Sequence, residues 1–314
     1  MIIIKIPDNE FSDESKALVS AKIDELRLLS SSTNILQKGN NQYIYLHGES
    51  YEEDRKSYIC EIEKEIIDAI ITNRIVIYLQ PIYSIKDKAF VSAEVLARII
   101  KKDNNILMPA EFIPVAEELG IISDIEDVVL KKTCEFLKEN DIRQLGLKYL
   151  EINLSVKNGQ KKNFAKKYLG TMIDYGIDPS LLNFEVTETA VVSRKEHLIK
   201  NMNEMIDEGS RFSLDDFGAR ESNLNYVIDM PIKFIKFDRD MTNAFVENEK
   251  AKCVMQHTIE MAHELGLKTI SEGVETYQML QDMQDIGIDY IQGFFFSKPL
   301  PIPDFLKFIN DNKD

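Results

Sequence analysis

Cysteine is scarce. The chain has 314 residues and 3 cysteines, Cys60, Cys134 and Cys253, none in a CxxC pair. That excludes a disulfide framework and fits a reducing compartment. Histidine is nearly as rare, with 4 residues and no HExxH motif or Cys/His cluster, which argues against a zinc site. His257 and His263 are six apart on a predicted helix, a poor spacing for one metal. No apolar run approaches the length of a membrane span. The N-terminal MIIIKIPDNE lacks the basic start, apolar stretch and small-residue cleavage site of a secretory signal. The expectation is a cytoplasmic protein without direct membrane insertion. Positive charge is also short, with 38 Lys and Arg against 53 Asp and Glu, a net charge of −15. Such a surface repels nucleic-acid polymers and anionic membranes. An anionic substrate therefore needs local cations: a few lysines and arginines, or metal ions held by part of the acidic excess.

What is present is a hydrophobic share of 44%, enough for one large domain with a small appendage. The pattern changes near residue 73. The expected organisation is an N-terminal segment over 1–72 and a large domain over 73–314. In the first segment MIIIKI and QYIYL (42–46) read as short strands and Asp13–Leu29 as a helix. Residues Tyr51–Ile71 read as an amphipathic helix with Ile59, Ile62, Ile66 and Ile70 in one stripe.

Beyond residue 73, β-branched apolar runs alternate with helical stretches. Eight runs read as strands: 75–79, 90–96, 147–154, 181–186, 212–215, 232–237, 268–271 and 288–291. Strands alternating with helices predict a parallel sheet, and eight of them predict a TIM-like (β/α)8 barrel. The link from Gln80 to Phe90 is too short for a helical crossover, so the first strand is expected to run antiparallel to the others. The overall fold class is therefore α/β, with a small N-terminal α+β segment and a linker helix.

The residues that close each strand carry the chemical signal. Gln80, Glu94, Asn153, Glu185, Asp215 with Asp216, Lys236, Glu272 and Gln292 lie at or just past successive strand ends, and Arg98 lies just beyond the second. In a barrel these ends converge on one rim. Any single one of them could simply mark a strand entering solvent. Clustered carboxylates, however, repel one another and are tolerated mainly beside a cation. An oxygen-only set selects Mg²⁺ or Mn²⁺. The adjacent pair Asp215–Asp216 could bridge two such ions, although an isolated Asp-Asp pair also suits a turn or a helix cap.

From residue 73 onward the chain resembles the EAL domain family. The motifs are YLQPIYSI (78–85), AEVLAR (93–98), PAEFIPVAEELGII (109–122), EINLS (151–155), FEVTET (184–189), LDDFG (214–218), FIKFDR (234–239), SEGVET (271–276) and YIQGFFFSKPL (290–300). Nine segments in the family's order over roughly 240 residues are a specific match. The resemblance implies hydrolysis of cyclic di-GMP to linear pGpG with two divalent ions, Mg²⁺ or Mn²⁺. It implies Glu94, Asn153, Glu185 and Asp215 as ligands of one metal, with Asp215, Asp216 and Glu272 around the second. It further implies Lys236 as the residue that orients the attacking water and Glu272 as general base. Glu188 would brace the loop after the paired Asp. Gln80, Leu96, Arg98, Glu275 and Gln292 would surround the substrate, some supporting the metals and the lysine.

Two departures stand out. Val95 replaces the alanine of the family signature and is expected to pack away from Glu94. The loop DDFGARESNL (215–224) carries Arg220 and Glu221 where the family has glycine and tyrosine. Its change leaves open a non-catalytic cyclic di-GMP receptor as the alternative function. A homodimer through the barrel or the helix 51–71 is also an expectation.

Overall fold

The computed structural model describes residues 3–7, 32–38, 41–47, 50–187, 195–218 and 224–313, with side chains from residue 58 onward. The predicted helix over 13–29 lies outside the described residues, as do Glu188, Arg220 and Glu221. The chain separates into two compact units, Met1–Glu65 and Ile66–Asp314, the division falling within a helix, Ser50–Ile71. In the first unit three antiparallel strands, β1 (Ile3–Pro7), β2 (Ser32–Lys38) and β3 (Asn41–His47), form a sheet of order β1-β3-β2. Strand β2 is an addition to the strands predicted there.

The second unit is the barrel. Its eight strands are β4 (Ile75–Ser84), β5 (Ala89–Ile100), β7 (Tyr149–Leu154), β8 (Leu182–Thr187), β9 (Arg211–Phe217), β10 (Phe234–Phe237), β11 (Lys268–Ser271) and β12 (Tyr290–Ile291). All eight coincide with predicted runs. Neighbours from β5 through β12 pair in parallel. Strand β4 closes the ring and is antiparallel to both β5 and β12, as the short 80–90 link requires. Two-residue strands β6 (Ile106–Leu107) and β13 (Leu300–Pro301) extend β5 and β4 at the edge.

The strands form because their apolar, β-branched residues are buried on both faces, against the helices outside and one another inside. Leu150, Ile152, Phe184, Val186, Phe212, Leu214 and Ile235 are all almost fully buried. Val95 is buried too, and pairs with Leu79 and Ile152. Low in the barrel, Ile82, Tyr149, Phe234 and Ile270 pack together with Tyr290 against them. After β12 the chain runs back across the sheet. There Phe296 stacks on Tyr83 with ring centroids 4.7 Å apart, and Phe90 meets both rings edge-on. Gly293 makes that return possible: a Cβ there would lie 2.0 Å from the carbonyl oxygen of Val274. Among the described residues, no helix is long and apolar enough to cross a membrane.

Candidate active site at the barrel mouth

The register explains why the polar strand ends meet. Gln80 faces Glu94 across the antiparallel β4–β5 pair, and Asn153 faces Glu185 across the parallel β7–β8 pair. Paired residues share a face of the sheet, so these four point into the barrel together. Asp215 and Asp216 need a further device, because adjacent strand residues normally point to opposite faces. Between Ile235 and Phe237 the β9–β10 register slips, so that three residues of β9 span two of β10. Asp216 takes up the extra residue at φ 57°, in the left-handed region. Asp tolerates that region better than most residues. A bulge beside an active site re-aims side chains, and here it turns the second carboxylate toward the mouth.

Lys236 sits at the centre. It is fully buried, with its ammonium 2.5 Å from Glu185, 2.7 Å from Glu272, 3.7 Å from Asp215, 3.8 Å from Glu151 and 4.0 Å from Glu94. Burial works against its charge, but the surrounding carboxylates more than offset that and hold its pKa well above the ordinary lysine value. The carboxylates move the other way. Burial, partly offset by Lys236, raises Glu185 well above its ordinary range and raises Asp215 as well. Burial and the adjacent Asp215 push Asp216 up to about 6. Burial pushes Glu272 up to about 8 despite Lys236. Glu151 is also raised, chiefly by burial.

A chain of amides fixes Glu94. Asn153 donates to one carboxylate oxygen at 2.8 Å and Gln292 to the other at 2.6 Å. Gln292 also donates to Gln80 at 3.1 Å, and Gln80 donates to the carbonyl of Ser297 at 3.1 Å. The expected grouping of Gln80, Glu94, Asn153 and Gln292 is thus a single hydrogen-bonded network.

As the side chains stand, no three His, Cys, Asp or Glu residues among those described form a cage for one ion. Asn153 presents its NH₂ to Glu94, and the Lys236 ammonium occupies the centre. The donor chemistry nonetheless fits. Five carboxylates (Glu94, Glu151, Glu185, Asp215 and Glu272) lie within 4.0 Å of one buried ammonium, and Asp216 follows Asp215 in the chain. Asp215 Oδ1, Glu185 Oε2 and both oxygens of Glu151 are buried without a hydrogen-bond donor. Buried anionic oxygens in that excess are suited to hard cations, and side-chain rotation at Asn153 would present its oxygen instead of its NH₂.

The site opens into a cavity of about 510 Å³. Its wall includes Gln80, Leu96, Glu275 and Gln292 from the expected substrate set. Arg98 is not brought into it. That side chain is nearly buried, lies over the Tyr78 ring at 5.3 Å and donates to the carbonyl of Ala97. Among the described residues lining the cavity, the one cation is Arg239, set against seven carboxylates. Arg239 opens the helix Arg239–Glu247, which Asp238 caps, and pairs with Glu275 at 2.8 Å. Gly273, at φ 70°, makes room for it: a Cβ there would lie 2.3 Å from the Arg239 Cγ. Sequence reasoning passed over Arg239 although it closes the FIKFDR motif. It also passed over Glu126, a buried cavity-lining glutamate that accepts hydrogen bonds from the Ser155 backbone N–H at 2.5 Å and from Asn158 at 2.6 Å. Burial raises Glu126 to about 7.

A model of the EAL domain family matches residues 63–299. The chain is 34% identical over 247 residues to the signaling protein YkoW of Bacillus subtilis (strain 168), covering 79% of this chain and 31% of YkoW. It is 31% identical over 242 residues to the probable cyclic di-GMP phosphodiesterase PdeB of Escherichia coli (strain K12), covering 76% of this chain and 45% of PdeB. The solved structure of the EAL enzyme Bd1971, in its cAMP- and cyclic-di-GMP-bound form, superposes with a TM-score of 0.74 at 21% identity, over 86% of this chain and 81% of that one. The chain belongs to the EAL domain family. It spans between about a third and a half of the length of these two curated relatives.

Proposed function

We propose that this chain is a metal-dependent phosphodiesterase that hydrolyses cyclic di-GMP to linear pGpG. The observation that carries the reading is the excess of buried carboxylates around Lys236 at the mouth of an EAL barrel. Glu94, Asn153, Glu185 and Asp215 would hold one Mg²⁺ or Mn²⁺ ion, and Asp215, Asp216 and Glu272 the other. When bound, the ions supply neutralisation of the diester and acidification of the attacking water.

The chain's own residues do the rest. Glu272, at the rim and 2.7 Å from Lys236, accepts the water's proton. Bound ions would add positive charge beside it and lower its raised pKa toward the range where it can do so at neutral pH. Lys236 places positive charge where the oxyanion develops. Gln292 holds one oxygen of the Glu94 carboxylate, and the other becomes available when Asn153 turns its own oxygen toward the ion. Arg239, paired with Glu275, meets the anionic substrate at the cavity wall, which Gln80 also lines. Water oxygen bonds to phosphorus in line with the departing O3′. The P–O3′ bond breaks, the 3′ oxygen takes a proton from solvent as it leaves, and Glu272 returns the proton it accepted to solvent.

Hydrolysis in ¹⁸O-labelled water tests this directly. The expected product is pGpG carrying one ¹⁸O on its 5′-phosphate, formed only with Mg²⁺ or Mn²⁺ and lost in E94A. Stoichiometric nucleotide binding with no pGpG would instead support the receptor reading that the changed loop 218–224 leaves open.

A further inference from the structure

The family motifs assign no role to Glu151, yet it is a fully buried acid inside the barrel. It lies on β7, two residues before Asn153 on the same inward face and level with Glu94 in the β5–β7 register. It is fully buried, and neither carboxylate oxygen meets a hydrogen-bond donor. Its neighbours are the Lys236 ammonium at 3.8 Å and the Glu185 carboxyl. A buried carboxylate whose cation is shared with four other carboxylates is poorly compensated and costs several kcal/mol, and an apolar residue would fill the same place without that cost.

The geometry around Lys236 suggests what the residue is for. The ammonium's two shortest contacts, to Glu185 and Glu272, are to oxygens that the proposed metal set also needs. The same is true of Asp215 and Glu94 at longer range. An ion taking those oxygens meets a lysine still bound to them, at a separation where like charges repel strongly. Of the five carboxylates within 4.0 Å of the ammonium, Glu151 is the one outside that metal set. On β7 it lies two residues deeper than Asn153, facing Asn183 where Asn153 faces Glu185.

We infer that Glu151 is a positioning residue that takes over Lys236 when metal ions claim Glu185 and Glu272, drawing the ammonium toward β7. The inference rests on the metal-dependent reading above. It requires Glu151 to act through Lys236, not as a ligand.

The test is Mn²⁺ binding without substrate, followed by electron paramagnetic resonance of the free ion. It is run on the wild type, E151Q, E151A, K236M and the E151Q/K236M double variant, with melting temperatures of the metal-free proteins alongside. E151Q and E151A are expected to bind Mn²⁺ roughly 10-fold or more weakly, in the range seen when outer partners of metal ligands are removed. Their metal-free melting temperatures should hold or rise, because an unsatisfied carboxylate is gone. In the K236M background the E151Q change should alter affinity less than twofold. Equal losses in both backgrounds would make Glu151 a ligand and overturn the inference. So would unchanged affinity in E151Q, or a fall in metal-free stability that parallels the loss of affinity. If the wild type itself binds no Mn²⁺, the metal-dependent reading fails, and the inference fails with it.

Discussion

Replacing Lys236 with methionine removes the charge and keeps most of the volume. Five carboxylates within 4.0 Å would lose their shared partner. Breaking a buried ion pair by deleting one side costs about 3–5 kcal/mol. For a domain of this size each kcal/mol moves the melting temperature by about 2–4 °C, so the fall should be roughly 6–20 °C. The loss must depend on pH. At pH 8 the carboxylates of the metal-free variant are forced toward charge and the full effect should appear. At pH 5 Asp216 and Glu272, raised to about 6 and about 8, are protonated and the effect should shrink. Mn²⁺ should restore much of the stability at pH 8, since the ions replace the missing charge. Turnover should nevertheless stay down by roughly 10²–10³-fold, the cost of losing one group that stabilises an oxyanion. Differential scanning fluorimetry with EDTA or Mn²⁺, together with a chromatographic turnover assay, reads all of this. A melting temperature within 2 °C of wild type at pH 8, or turnover within threefold, would refute the reasoning.

Four further outcomes follow from the same geometry. The metal-free wild type should lose stability as pH rises. Glu126, Asp216 and Glu272 have folded pKa values of about 7, about 6 and about 8, above their unfolded values. The folded state therefore binds more protons between about pH 4 and pH 8, and the stability they lend declines across that window; thermal melts in EDTA check it. D216N should raise metal-free stability at pH 8 by removing a strained charge while abolishing turnover, measured by fluorimetry and product chromatography on one preparation. R239A should raise KM roughly 10-fold or more with kcat nearly kept, because a charge-assisted contact made equally in ground and transition states is worth about 1.5–3 kcal/mol. G293A should cost about 3 kcal/mol or more in denaturant unfolding, since its Cβ would collide with the Val274 backbone.

The barrel was legible because its strands are short apolar runs buried on both faces, with helices between them, and because the 80–90 link was too short to cross over. The candidate site was legible because strand ends converge in a barrel, so polar residues spaced along the sequence become neighbours. The means of convergence was less so. An isolated Asp-Asp pair also suited a turn or a helix cap, whereas the structure uses a bulge in β9 with Asp216 itself left-handed. Nothing local in LDDF distinguishes the two. Strand β2 was missed because STNILQK is polar at five of its seven positions. The two-residue Gly39–Asn40 link between Lys38 and Asn41, a hairpin signal, was the clue. Arg98 was expected at the phosphate because of its place after Glu94. Its aromatic neighbour Tyr78 is two strand positions before Gln80 on the next strand, a pairing visible only once the register is known. Glu151 was hidden by its neighbours in EINLS: a single acid in a strand reads as solvent-facing until the inward alternation is fixed by Asn153.

The central claim is multiple-turnover hydrolysis driven by metal at the Lys236 cluster. Purified protein mixed with cyclic di-GMP and Mg²⁺ or Mn²⁺, followed by chromatography, tests it most directly. The expected result is pGpG accumulating well beyond the amount of protein, abolished by EDTA and by D216N. Intact cyclic di-GMP after prolonged incubation with either metal, in protein that still binds the nucleotide, would contradict it.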